Sequence, residues 1–211
     1  MWVVGLITAG RRECWGSQTD GQEGTVPNDG AFLFVQFSAV AALRIDLNAD
    51  VGESFGAYCL GQDAALMRSI TSANIAAGLH AGDPSVLRQT VRLAKAHGVA
   101  VGAHPGYPDL AGFGRRIMQM TPAEVEDIVL YQVAVVAGVA AAEGLKLQHV
   151  KPHGALYATG SRDGSVAAAL VTAVRAFDAT LLIFGPGASA LERAAALQGM
   201  RFIREGFADR A

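Results

Sequence analysis

The chain has 211 residues, 51% hydrophobic and 17% charged, which supplies enough apolar mass for one sizeable core. Its formal net charge is -2, with both signs scattered and no basic block, so the charge pattern speaks against a nucleic-acid partner. Two cysteines, Cys14 and Cys59, have neither metal-ligand spacing nor the density of a disulfide framework, and they fit a reducing, cytoplasmic setting.

Residues 1–42 read as an N-terminal appendage. The stretch 16–30 is rich in Gly, Gln, Asp, Asn and Thr without periodicity, as in a loop or disordered segment. The apolar run over 31–43 is broken only by Gln36 and Ser38 and is too short to span a bilayer. Asp29 stands before it, where a secretory signal would carry positive charge, so no membrane association is expected. From residue 43 the pattern changes to strict alternation. Strands are expected at 43–48, 73–77, 99–103, 147–151, 180–184 and 201–205, with helices at 63–71, 85–97, 121–143, 166–176 and 188–197. Asp83 as N-cap, Pro84 behind it and Gly98 as stop signal mark the helix over 85–97. Thr121 and Glu124 form the signature of a capping box. Such βα alternation implies parallel strands joined by right-handed crossovers, either as an open doubly wound sheet or as an incomplete barrel. The βα domain is thus read as residues 43–211.

The polar residues concentrate at strand ends. Asp46, Asn48 and Asp50 are spaced by two on the first strand and its exit, so they share one face. Glu53 follows them. Later strands run out into His80, then His104, then Lys151-Pro152-His153, and finally Glu205 with Asp209 and Arg210. In a βα fold the carboxyl ends of the strands share a rim, and sites are found there. A cluster of carboxylates, imidazoles and an ammonium on that rim suits proton transfer or a metal-held water. Each residue also has a bland reading. Asp46 could pair structurally with Lys151, Asp83 is foremost a cap, and Arg115 and Arg116 could form a solvated loop edge. His97 suits the negative end of its helix, and His149 is set aside because its side is undecided. The phosphate-cradling GxxxxGK[ST] is absent, as are a GxGxxG after a strand and a GxSxG elbow. The chain is therefore not read as a stand-alone P-loop ATPase, a dinucleotide enzyme or a serine hydrolase.

At these residues the sequence resembles the LamB/YcsF family. The motifs run from Ile45 to Glu53, from Ser72 to Pro84, from Gly102 to Asp109, from Gly112 to Arg116, from Val150 to Tyr157 and from Phe207 to Arg210, all in order. The resemblance implies a distorted (β/α) barrel of the glycoside hydrolase/deacetylase type, incomplete at the C-terminus because the chain stops just after the last motif. It also implies the A subunit of an ATP-dependent 5-oxoprolinase, which opens the lactam of 5-oxo-L-proline to L-glutamate together with subunits B and C. Ala77 stands where the family often has Cys, and Leu79 where Phe is usual. In that frame Asp46 or Asp50, with His80 or His104, would position and deprotonate water. Lys151 would stabilise negative charge, and His153 would protonate the departing nitrogen. Asn48, Glu53, Asn74, Arg115, Glu205, Asp209 and Arg210 are expected to contact substrate. ATP is expected as co-substrate, handled with the partner subunits. A second reading is a divalent-metal amidase or deacetylase, with Asp46, Asp50, His80 and His104 as candidate ligands. A third is a non-catalytic, lactam-binding role.

Overall fold

The computed structural model describes residues 4–8 and 45–207. Six parallel strands curl side by side in chain order: β2 (Ile45–Val51), β3 (Ser72–Ala76), β4 (Ala100–His104), β5 (Leu147–Val150), β6 (Leu182–Pro186) and β7 (Arg201–Phe207). A full barrel of this type has eight parallel strands, so the parallel wall is incomplete, as expected. The gap between β7 and β2 is filled by β1 (Val4–Thr8), which runs antiparallel to both and closes the ring. Nothing in the sequence pattern leads one to expect a strand at 4–8, and here one is. The rest of the stretch 1–42, with Cys14 and the apolar run at 31–43, lies outside the described residues, as do Asp209 and Arg210.

Helices coat the outside. They are α1 (Asp63–Leu66), α2 (Pro84–His97), α3 (Pro122–Ala142), α4 (Gly154–Arg162), α5 (Gly164–Phe177) and α6 (Ala190–Leu197). The predicted start signals act as expected. Asp83 accepts hydrogen bonds from the Ser85 and Val86 amides, and Gly98 ends α2 in the left-handed conformation. Thr121 and Glu124 complete a reciprocal capping box on α3. By length and composition alone α3 could cross a bilayer, with mean hydropathy 1.7 over its most apolar window. It instead packs on α2, α5, β4 and β5, burying Val125, Val129, Val133 and Val136. Two helical expectations change. The helix expected over 63–71 is a single turn, and α4 is an addition to the expected set. Gly154, Gly160, Thr159 and Ser161 are weak helix formers, and α4 is held by packing, with Ala155, Leu156 and Gly160 buried.

Strand pleating sorts the side chains. Ala49, Val51, Ala73, Ile75, Val101, Ala103, Val150 and Ile183 belong to the apolar core shared with the helices. The other face fills the barrel interior with polar groups. One lateral row runs through Asp50, Asn74, Gly102 and His149 on β2 to β5. Gly102 is the gap in that row. A Cβ there would lie 2.1 Å from His149 Nε2, so the glycine lets the imidazole reach across β4 to Asn74.

Candidate active site at the carboxyl ends of the strands

The polar residues at the strand ends form two joined clusters. The first centres on Lys151, which is buried just past β5. Its Nζ lies 2.7 Å from Glu205 Oε1, 3.3 Å from Asp50 Oδ1 and 3.1 Å from Asn48 Oδ1. Asn74 Nδ2 donates to Asn48 Oδ1 at 2.8 Å and to Asp50 Oδ1 at 2.9 Å. Asn74 Oδ1 therefore accepts from His149 Nε2 at 2.7 Å, which fixes that ring's tautomer. Burial pushes the Asp50 carboxyl up, but His104, Lys151 and the Asn74 hydrogen bond outweigh it and hold it well below the usual range. Burial pulls the Lys151 ammonium down, and the two carboxylates more than restore it, so its pKa is raised. Glu205 is raised, first by burial and then by Asp50, against the pull of Lys151. One ammonium between two carboxylates thus keeps Asp50 ionised and makes Glu205 the weaker acid of the two.

The second cluster holds Glu53, His80, His104 and His153. His104 Nδ1 lies 2.7 Å from the Lys151 carbonyl oxygen, and His153 Nε2 lies 2.8 Å from the Phe113 carbonyl oxygen. A carbonyl only accepts, so both nitrogens carry protons. The remaining nitrogens, His104 Nε2 and His153 Nδ1, face each other at 2.9 Å. His104 Nε2 is also 3.4 Å from Asp50 Oδ2, which joins the two clusters. His80 stacks flat on His153 with ring centroids 3.8 Å apart. Glu53 Oε1 approaches His80 Nε2 at 3.8 Å and His153 Nδ1 at 3.7 Å. Ligand atoms of all four residues lie within 4.8 Å of one another, a group able to hold a metal ion. Burial drives the Glu53 carboxyl up to about 7, with His104 pulling the other way. It also drives His153 down to about 3 and His80 well below its ordinary value.

The loop after β4 frames this cluster. Gln132 on α3 is buried; its Oε1 accepts from the Gly106 amide and its Nε2 donates to the Gly106 carbonyl. A Cβ on Gly106 would come within 2.5 Å of His80 Nδ1, so only glycine lets His80 sit there. Asp109 closes the loop by pairing with Arg116 and accepting from the Gly112 amide. Phe113 holds a left-handed backbone at φ 55, uncommon outside glycine, and this aims its carbonyl at His153. The Arg115 guanidinium stands 5.7 Å over the Phe113 ring.

A cleft of about 370 Å³ opens over Lys151, Asp50, His104 and His153, with Arg115 at its edge and Tyr157 and Phe207 along its wall. The structure thus brings together Asp50, His80, His104, Lys151, His153, Asn48, Asn74, Glu53, Glu205 and Arg115. It does not bring Asp46 there. Asp46 shares a face with Asp50, but four residues of strand place it about 13 Å nearer the amino end. There it accepts hydrogen bonds from Thr71 and Ser72 instead. The candidate metal ligands Asp46 and Asp50 are accordingly replaced in the four-residue group by Glu53 and His153. His149 and Gln132 join the expected residues. His149 is two residues from Lys151, and that spacing alone could have put it on the interior face.

Residues 45–211 match the LamB/YcsF family. The chain is 58% identical over 167 residues to a protein of Symbiobacterium thermophilum named as the A subunit of 5-oxoprolinase, a match covering 79% of this chain and 64% of the relative. It is 52% identical over 169 residues to the protein of the same name from Pyrococcus furiosus, covering 80% of this chain and 66% of the relative. The crystal structure of a lactam utilization protein from Thermus thermophilus superposes with a TM-score of 0.74 at 51% identity, over 74% of this chain and 64% of that one. The chain therefore spans just under two thirds of the length of these relatives. With the strand-end motifs, the barrel and the family match in agreement, this chain belongs to the LamB/YcsF family.

Proposed function

We propose that this chain is the lactam-opening part of an ATP-dependent 5-oxoprolinase, acting in the cytoplasm with subunits B and C to convert 5-oxo-L-proline to L-glutamate. The observation that carries this reading is the charged group on the cleft wall. Lys151 is held between Asp50 and Glu205 beside His104, at the rim where βα folds place their chemistry. Such a constellation is costly to bury unless it acts on something.

A lactam resists water because its amide resonance must be broken. Transfer of the ATP γ-phosphoryl group to the lactam oxygen gives an imidate phosphate, and water then adds at that carbon. The C–N bond of that tetrahedral adduct opens as the ring nitrogen takes up a proton, leaving an acyl phosphate, and a second water then releases phosphate and yields the free carboxylate. No phosphate-cradling motif is present in this chain, which favours handling of ATP with the partner subunits. Here Asp50 deprotonates the water, and His104, whose Nε2 lies 3.4 Å from Asp50 Oδ2 on the cleft wall, helps to orient it. Lys151 stabilises the charge on the tetrahedral oxygen or the phosphate. The ring proton of His153 is given to the Phe113 carbonyl, so the departing nitrogen takes its proton from water or another group, and Arg115 at the cleft edge suits the substrate carboxylate. Asn48 and Asn74 set the Asp50 and Lys151 side chains. Asp46 has no part in this chemistry.

The test is glutamate formation from 5-oxoproline and ATP by the chain co-purified with its partner subunits. Asp50→Asn and His104→Ala should each lower kcat by about 10²–10⁴-fold, the range for loss of a positioned acid or base. Unchanged turnover in both variants would discard the assignment.

A further inference from the structure

The second cluster gathers more electron-pair donors than it has hydrogen-bond partners for among the described residues. The outer nitrogens of His104 and His153 both give their protons to backbone carbonyls. In neutral rings the inner nitrogens then carry only lone pairs, and these face each other at 2.9 Å. Two lone pairs at hydrogen-bond distance repel unless a second ring proton, which Asp50 Oδ2 at 3.4 Å from His104 Nε2 would favour, or a metal cation stands between them. The neighbours make the same demand. His80 is fully buried, and neither of its ring nitrogens has a hydrogen-bond partner among the described residues. Glu53 Oε1 is likewise buried without one. Electron-pair donors of four residues thus converge, and those of His80 and Glu53 go unpartnered, in a protein interior where buried polar groups are ordinarily satisfied.

We propose that Glu53, His80, His104 and His153 bind a divalent transition-metal ion of the zinc type. Three imidazoles and one carboxylate are a borderline-soft donor set, which suits zinc or its first-row neighbours and disfavours magnesium and calcium, which take oxygen ligands. Ligands around one such ion sit about 3–4 Å apart. The contacts of Glu53 to His80 and His153, at 3.8 and 3.7 Å, already fall in that range. The supporting contacts are those of a metal site too. His104 and His153 are each oriented by a hydrogen bond from the other ring nitrogen, to the Lys151 and Phe113 carbonyls respectively. The ammonium of Lys151 stays outside the donor set, paired with Asp50 and Glu205. His104 and His153 also line the cleft, so the bound ion would be within reach of a ligand there and would supply Lewis acidity. Metal binding here does not rest on the lactam reading, because it can be tested without turnover.

The test uses the full chain, stripped with chelator and checked for fold by circular dichroism, then titrated with Zn²⁺ and separately with Co²⁺. The expected result is one ion per chain retained through gel filtration, a Tm that rises with ion concentration, and visible Co²⁺ absorption of a nitrogen-rich low-coordinate site. Glu53→Gln and His80→Asn should each weaken Zn²⁺ affinity by more than about tenfold, the scale at which loss of a mere supporting contact already acts. A folded wild-type chain that takes up neither ion would overturn the proposal whatever the variants do. Variants that fold and bind as tightly as wild type would overturn it as well.

Discussion

Replacing Lys151 with methionine keeps an unbranched side chain, one atom shorter, and removes the charge. The ammonium is buried, 2.7 Å from Glu205 and 3.3 Å from Asp50, with Asn48 as its third contact. The Lys151→Met variant would hold two interior carboxylates without a counter-charge. Removing one partner of a buried pair costs about 3–5 kcal/mol, mainly because the other charge stays behind unpaired. Glu205 is raised by burial and takes a proton more readily, which relieves part of the loss, so the lower end of that range, about 3 kcal/mol, is expected. For a chain of this size that corresponds to a fall in Tm of about 6–12 °C. Urea unfolding followed by circular dichroism measures it. Adding Glu205→Gln to Lys151→Met removes one stranded carboxylate and should recover about half of the loss, a coupling that double-mutant cycles resolve. A cost for Lys151→Met under about 1 kcal/mol, the scale of an exposed pair, would refute this picture. So would further damage from the second substitution.

Other consequences follow from the same geometry. Gly106→Ala should displace His80 and lower activity while the barrel stays folded, since its Cβ would sit 2.5 Å from the His80 ring; kinetics beside far-UV circular dichroism separate the two effects. Asp46→Asn should leave glutamate formation within about threefold of wild type, because Asp46 lies at the other end of β2 with Thr71 and Ser72. Asp109 is held down to about 2 by Arg116, and Glu143 to about 2 by Arg92 and Arg88. These carboxyls bind fewer protons in the folded state than in the unfolded one, so the stability they confer is full above pH about 4–4.5 and is lost as pH falls through about 2. Acid titration of the unfolding midpoint should show that loss, and it should be smaller in Asp109→Asn.

How much of this can be read from residues alone varies with the range of the interaction. His104, Lys151 and His153 are legible because each follows a short β-branched or apolar run and precedes Pro or Gly, a purely local pattern. Periodicity puts Asp46, Asn48 and Asp50 on one face but carries no information on depth along the barrel, and depth separates Asp46 from the cleft. The same periodicity, taken one step further, places His149 beside Lys151. Gln132 is not legible, because its role depends on how α3 is rotated against the turn after β4. Glu53 can be named as a polar residue near the rim, but its place among the histidines depends on the path of the chain after β2. The strand Val4–Thr8 escapes notice because its pairing is set by the free edges of β2 and β7, far away in sequence. Helix α4 is hidden by its glycines, since tertiary packing there overrides weak propensity.

The central claim is that the cleft over Asp50 and Lys151 receives the lactam. A crystal structure of this chain with 5-oxo-L-proline tests it most directly. The ring carbonyl is expected within hydrogen-bond distance of Lys151 Nζ, with the substrate carboxylate toward Arg115 and the carbonyl carbon facing Asp50 and His104. Lactam density at any other place on the molecule, with this cleft holding only solvent at saturating ligand, would contradict the account.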